Sequence, residues 1–205
     1  MDGIEFYIGI LAAYLIGGIP FGFLIGKMRG VDVRTVGSKN IGATNVYRTV
    51  GHRWGFLAFF CDFLKGFLPT LAALLYVRGV SEPGALVHLP LAVGFATVLG
   101  HTLTPYMKFK GGKGVATAFG MLMALLTVPV LIAFAVFVVT VWLSHYISLG
   151  SCLAALTIAV LVWFYPDPDA TLPCRILVTI LGVFVVYKHK SNISRLIHGC
   201  ENKIY

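Results

Sequence analysis

Acidic side chains are scarce in this chain. Eight aspartates and glutamates stand against sixteen lysines and arginines, and charged residues of both signs make up only 12% of it. With 58% hydrophobic residues and a mean hydropathy of +0.88, too little polar surface remains to coat a soluble domain. An integral membrane protein is expected. Cysteine is also sparse: Cys61, Cys152, Cys174 and Cys200 are scattered without a Cys-x-x-Cys pair or Cys/His ligand spacing. Neither a structural zinc site nor a disulfide framework is indicated, and the four read as packing residues. The basic loops offer only Asp32 before residue 201, so no metal and no cofactor is expected. Gly-x4-Gly-Lys-Ser/Thr is missing, which excludes a Walker phosphate loop. No internal repeat, low-complexity tract, second domain or nucleic-acid partner is indicated, and residues 1–205 are expected to form a single domain.

What is present is a series of apolar runs, each about the 20 residues that cross a bilayer core about 30 Å thick. Residues 4–26 are not a cleaved signal, because Asp2 and Glu5 precede the run while Lys27 and Arg29 follow it, the reverse of a signal's charge order. Further runs cover residues 56–77, 86–103, 149–165 and 173–187. Residues 115–145 are harder: about 31 residues in one helix reach about 46 Å, too long for a modestly tilted crossing. Thr127-Val128-Pro129 offers a break, since proline interrupts the helical ladder and biases the residue before it away from helix. Two short helices there give an all-α bundle of seven transmembrane helices; one helix gives six.

Charge decides between them. Lys27, Arg29, Arg34, Lys39, Arg48 and Arg53 fall in one loop, Lys108, Lys110 and Lys113 in another, and Lys188, Lys190, Arg195 and Lys203 in the tail. Those thirteen of the sixteen basic residues are opposed there only by Asp32 and Glu201. Seven spans put all three segments on one side, and the positive-inside rule makes that side cytoplasmic. The expected topology has the N-terminus outside and the C-terminus cytoplasmic, with Pro166-Asp167-Pro168-Asp169 an outer turn. Much of this charge needs no role beyond topology.

The same three segments carry the chemistry. Gly37, Ser38, Asn40, Gly42, Thr44, Asn45 and Arg48 combine small residues that let backbone N–H groups approach an anion, donors, and a planar guanidinium that clamps phosphate. The competing reading is a polar turn with Ser38 or Asn40 as helix cap. In Lys110-Gly111-Gly112-Lys113-Gly114, glycines flank a lysine at the start of an apolar helix, so backbone amides and a helix N-terminus are expected to face one anion. Ser148, Gly150 and Ser151 begin a later span, where serine is usually a cap. His189 and Asn192, three apart, share a helical face. Asp62 and Lys65 are also three apart but within a span, where ionisable groups are rare and normally paired or functional. A mutual structural pair is the favoured role, with substrate contact by Lys65 the other.

Taken together the chain resembles the bacterial acyl-phosphate:glycerol-3-phosphate acyltransferase family, PlsY. The resemblance runs over nearly the whole chain. It reaches to His189-Lys190-x-Asn192-Ile193-x-Arg195-Leu196-x-x-Gly199-x-Glu201, and its most specific parts are Gly37-Ser38-x-Asn40-Ile41-Gly42-Ala43-Thr44-Asn45-Val46-x-Arg48, Asp62-x-x-Lys65-Gly66 and Phe109-Lys110-Gly111-Gly112-Lys113-Gly114. Many members carry glycine where this chain has Lys39, which bears on the backbone at that position.

The resemblance implies transfer of a fatty acyl group from acyl phosphate to the 1-hydroxyl of glycerol 3-phosphate, giving lysophosphatidate and phosphate, the first acylation of bacterial phospholipid synthesis. It implies a multi-pass protein of the cytoplasmic membrane, among membrane lipids, whose site faces the cytoplasm. Functional coupling to the enzymes that make acyl phosphate and add the second acyl chain is also implied. By motif, Ser38, Arg48, Lys110, a serine at 148 or 151, His189 and Asn192 carry the reaction. Asn40, Thr44, Asn45 and Lys65 join in binding substrate, Gly111, Gly112, Lys113 and Gly114 hold the acyl phosphate, and Glu201 is structural. No carboxylate in the loops is evidently placed as general base. A substrate phosphate oxygen is therefore expected to take the hydroxyl proton, with His189 orienting.

Other readings fit less well. Acyltransferases using acyl-CoA or acyl carrier protein generally show His-x4-Asp, and no histidine here has Asp five residues on. CDP-alcohol phosphotransferases need clustered aspartates. A transporter of a phosphate-bearing solute would place its coupling site near the midplane, on broken helices. A structural membrane subunit has no positive sign.

Overall fold

The computed structural model describes residues 4–204, apart from the side chains of Glu5 and Ala85. Asp2 and the Glu5 side chain, whose charges set residues 4–26 apart from a cleaved signal, lie outside it. The described residues form ten α-helices and no strand: α1 Ile4–Gly18, α2 Phe21–Met28, α3 Ala43–Thr49, α4 His52–Arg78, α5 Leu89–Thr102, α6 Val115–Leu125, α7 Thr127–Ser144, α8 Ile147–Phe164, α9 Leu172–Lys188 and α10 Lys190–Ile197. Five stretches are long and apolar enough to cross a membrane, Phe6–Met28, α4, Leu86–Met107, α7 and α8, and α9 with α10 makes a sixth if that pair, bent by 55°, is one span. α6, with 11 residues, is about 16 Å long and too short to cross unaided.

The expected break in residues 115–145 is present. Leu126, with φ −136° and ψ 59°, separates α6 from α7. Pro129 is then the third residue of α7, where a missing N–H costs no intrahelical bond.

The first run differs from expectation, because α1 and α2 are separate helices. Pro20 supplies no N–H and disfavours helix at Ile19, which frees carbonyls inside an apolar segment. Side chains distant in sequence satisfy them: Thr104 Oγ1, just after α5, donates to the Gly18 carbonyl at 2.6 Å and Lys65 Nζ of α4 to the Ile19 carbonyl at 2.7 Å. Irregular backbone survives at membrane depth only when it is satisfied in this way.

The chain divides into two compact units at Leu125–Leu126. In the first, α1 meets α5 where a Cβ at Gly17 would overlap the Thr97 backbone and one at Gly100 the Tyr14 carbonyl. Close approach at small residues is how helices associate where apolar surface gains nothing over lipid. Ala13, Ala73, Val77, Leu89, Val93 and Ala96 form the buried cluster shared by α1, α4 and α5. A second cluster, Ile25, Val33, Ile41, Val46 and Ala58, pins residues 31–42 between α2, α3 and α4. In the second unit, Gly182 of α9 packs on α8, where a Cβ would lie 2.8 Å from the Ala155 carbonyl. Trp142 and Phe164, 70% and 81% exposed, stand outward as lipid-facing side chains do.

Candidate active site

In the first unit, Asn45 organises residues 33–38. Its Nδ2 donates to the Val33 and Val36 carbonyls at 2.8 and 3.2 Å, and its Oδ1 accepts the Ser38 N–H at 2.9 Å. At 2% exposure, with its amide committed to the loop, Asn45 is a scaffold; the expectation of direct substrate contact does not match this placement. Neither Ser38 nor Asn40 caps α3. Gly42 is the N-cap, and Asn40 Oδ1 instead accepts the Gly42 N–H at 2.8 Å in an Asx turn. Ser38 is exposed, and Asn40, Thr44 and Arg48 are half-buried.

Lys39 occupies the left-handed region with φ +58°, which costs a side-chain-bearing residue about 1–2 kcal/mol. Lys39→Gly is expected to raise stability by about 1 kcal/mol, read as a higher unfolding midpoint in detergent; an unchanged or lower midpoint would count against strain there.

The second loop follows a 3-10 turn at Pro105–Met107 and two successive left-handed residues, Lys108 and Phe109 (φ +53° and +59°). Lys110 is exposed and Lys113 half-buried. The Gly111 N–H donates to the Thr102 carbonyl at 3.2 Å and the Gly112 N–H to the His101 carbonyl at 3.1 Å. These two amides hold the loop onto the end of α5. This corrects the expectation that they face an anion; the first-turn amides of α6 are the ones without an intrahelical acceptor.

Lys65 is 4% exposed, and its Nζ lies 2.7 Å from Asp62 Oδ1 as well as from the Ile19 carbonyl. It braces the first unit, and its expected substrate contact finds no support in this position. His101, 6% exposed, places Nδ1 3.6 Å from the same carboxylate oxygen. His101 is not among the expected site residues, although a histidine inside an apolar run, with Asp62 in another, is the signal the chain offers.

In the second unit, Glu201 is the hub. Its Oε1 accepts from Asn192 Nδ2 at 2.7 Å and Ser148 Oγ at 3.0 Å, and its Oε2 pairs with Arg195 Nε at 2.7 Å. Burial pushes this carboxyl up, but the hydrogen bonds from Asn192, Arg195 and Ser148, with the Arg195 charge, outweigh it and hold the group below its ordinary value. Ser148 is therefore not a cap; α8 is N-capped by Tyr146. Ser151 Oγ donates to the Ile147 carbonyl of its own helix at 2.8 Å and does not join the hub. His189 sits at the bend between α9 and α10, 3% exposed, with Nδ1 2.8 Å from the Val185 carbonyl. A carbonyl only accepts, so Nδ1 carries a proton and donates it to Val185.

In the exposed loop, the Arg34 guanidinium at 2.6 Å lowers the Asp32 carboxyl to about 2, so it stays ionised beside the basic residues.

Fold and polar clusters define a multi-pass α-helical membrane protein with ordered polar side chains both within and at the ends of its apolar helices. The chain belongs to the glycerol-3-phosphate acyltransferase family, the PlsY family, whose family model matches residues 7–199. A glycerol-3-phosphate acyltransferase from Trichlorobacter lovleyi is 47% identical over 194 residues, 95% of each chain. One from Aquifex aeolicus is 40% identical over 194 residues, 95% of this chain and 96% of that one. The crystal structure of PlsY, an integral membrane glycerol 3-phosphate acyltransferase, in its glycerol 3-phosphate form matches with a TM-score of 0.86 at 37% identity, covering 97% of this chain and 95% of that one. Its lysophosphatidic acid form matches at the same identity and coverage with a TM-score of 0.83.

Proposed function

We propose that this protein transfers a fatty acyl group from acyl phosphate to the 1-hydroxyl of glycerol 3-phosphate, as one acyltransferase domain of the cytoplasmic membrane. The observation that carries the reading is the likeness to a protein solved in both a glycerol 3-phosphate and a lysophosphatidic acid form. The hydroxyl oxygen attacks the acyl carbonyl carbon, a new C–O bond forms, and the C–O bond to phosphate breaks with its electron pair leaving on phosphate. The hydroxyl proton passes to a phosphate oxygen, so lysophosphatidate and inorganic phosphate result. A mixed anhydride already has a good leaving group, and the residues need chiefly to orient and to stabilise charge.

Lys113, with the first-turn amides of α6, holds the acyl phosphate. Ser38, Arg48 and Lys110 add donors and positive charge. His189 Nε2 orients the attacking hydroxyl, while Ser148 and Asn192, fixed by Glu201, face glycerol 3-phosphate. The basic loops face the cytoplasm, α6 serves as a short seventh crossing, and the N-terminus is outside. Cysteine labelling from either side of sealed vesicles tests that sidedness.

The hub favours Ser148 over Ser151. Ser148→Ala is expected to lose on the order of 100-fold in kcat/KM, and Ser151→Ala to stay near wild type; the reverse order would refute the assignment. The whole reading is tested by phosphate release from purified protein given palmitoyl phosphate and glycerol 3-phosphate, with palmitoyl-CoA as alternative donor and Ser38→Ala as control. Release only from palmitoyl phosphate, together with lysophosphatidate, is expected. No turnover by folded protein with either donor would overturn it.

A further inference from the structure

The mechanism above leaves one buried cluster of ionisable groups unused. It lies wholly in the first unit. Asp62, Lys65 and His101, on α4 and α5, are 2%, 4% and 6% exposed, a costly arrangement unless the charges are paired. Two contacts give the cluster a direction. At one end, Lys65 Nζ holds the Ile19 carbonyl freed by the break before Pro20, at 2.7 Å. At the other, the His101 imidazole lies against Gly112 so closely that a Cβ there would overlap its Nε2 edge, while the His101 carbonyl accepts the Gly112 N–H at 3.1 Å.

The same loop is seated at Gly111, where a Cβ would overlap the His101 carbonyl. One histidine thus touches the Gly111-Gly112 path with its ring and its backbone. Asp62 lies 3.6 Å from Nδ1, close enough to act on the ring through charge and packing. Gly112 is required by the imidazole beneath it, and the path of Gly112 in turn sets where the next amides and the first turn of α6 point.

We infer that His101 is a positioning residue for the acyl-phosphate donor: braced by Asp62 and Lys65, it holds the glycine loop in the one path that presents the α6 end to phosphate. The inference rests on the proposed reading of that loop as the donor site. Its ring and its carbonyl both contact the loop assigned to the donor, so the effect is expected on the donor.

The test is steady-state kinetics of the full chain in lipid, with palmitoyl phosphate and glycerol 3-phosphate varied separately. His101→Ala is expected to raise the KM for palmitoyl phosphate on the order of 10-fold or more, since a displacement of about 1 Å costs up to about 100-fold, and to leave that for glycerol 3-phosphate unchanged. Gly112→Ala alone is expected to show the larger defect. In the double variant the methyl occupies space the ring has left, so its loss is smaller than the combined single losses. Equal rises in both KM values, or strictly multiplicative losses, would overturn the proposal.

If His101→Ala does not fold, His101→Gln with amide hydrogen exchange decides instead. Faster exchange at Gly111 and Gly112 supports the brace, and wild-type exchange rates refute it. Failure of the wild-type protein to turn over palmitoyl phosphate would strike the functional reading, and the exchange comparison would then judge the brace without it.

Discussion

Lys65→Met is expected to destabilise the protein by about 3–5 kcal/mol, the usual consequence of removing one partner from a buried ion pair. The methionine stem fills similar space, so the loss is electrostatic. Asp62 keeps a carboxylate 2% exposed without the ammonium 2.7 Å away, and the Ile19 carbonyl loses its donor in an apolar segment. Unfolding in bicelles or mixed detergent should show the lowered midpoint. Asp62→Asn/Lys65→Met should recover part of the loss, because an amide bears burial better than an uncompensated charge. A double variant no more stable than Lys65→Met would show that the ammonium matters for the Ile19 carbonyl and not for Asp62.

Glu201→Gln is expected to reduce kcat/KM on the order of 100-fold and to loosen the end of the chain. A glutamine turns an NH2 group toward donors, so Ser148, Asn192 and Arg195 cannot all keep their acceptor. Each bond to an ionised carboxylate contributes about 1.5–3 kcal/mol, and the Arg195 contribution is smaller because that side chain is 36% exposed and partly screened. A kcat/KM near wild type would refute the hub as the holder of Ser148 and Asn192.

The same carboxylate gives a pH dependence with a definite sign. Its folded value lies below the unfolded one of 4.5, so between the two the unfolded chain binds more protons and stability rises with pH. The contribution is complete above the ordinary carboxylate range and is lost as pH falls through the lowered folded value. Melting midpoints followed downward from pH 7 should fall less steeply in Glu201→Gln than in wild type. Parallel profiles would refute the linkage.

Much of the fold was legible because lipid is a uniform solvent. Runs of about 20 apolar residues are enforced by bilayer thickness, and α4, α5, α8 and α9 fall within a few residues of the expected runs. Pro129 marked the break before α7 through its missing N–H. Pro20 carried the same chemistry and was passed over, since a helix can tolerate proline when something else satisfies the freed carbonyls. The partners that do so, Lys65 and Thr104, lie 46 and 86 residues away.

At the candidate site, residue types and spacing marked the polar segments but not the tasks within them. Asn45 and Ser38 share one motif, yet Asn45 spends its amide on the Val33 and Val36 carbonyls while Ser38 stands exposed. Ser148 and Ser151 are one helical turn apart, and only the arrival of Glu201 from 53 residues away distinguishes them. The sequence by itself determined what the bilayer and short-range backbone chemistry demand: the apolar lengths, the basic ends and the glycine-rich breaks. Tertiary structure alone decided which polar atom meets which. Hydrogen bonds and ion pairs act over about 3 Å, and the residues that come that close here are brought together by helix packing, not by their separation along the chain.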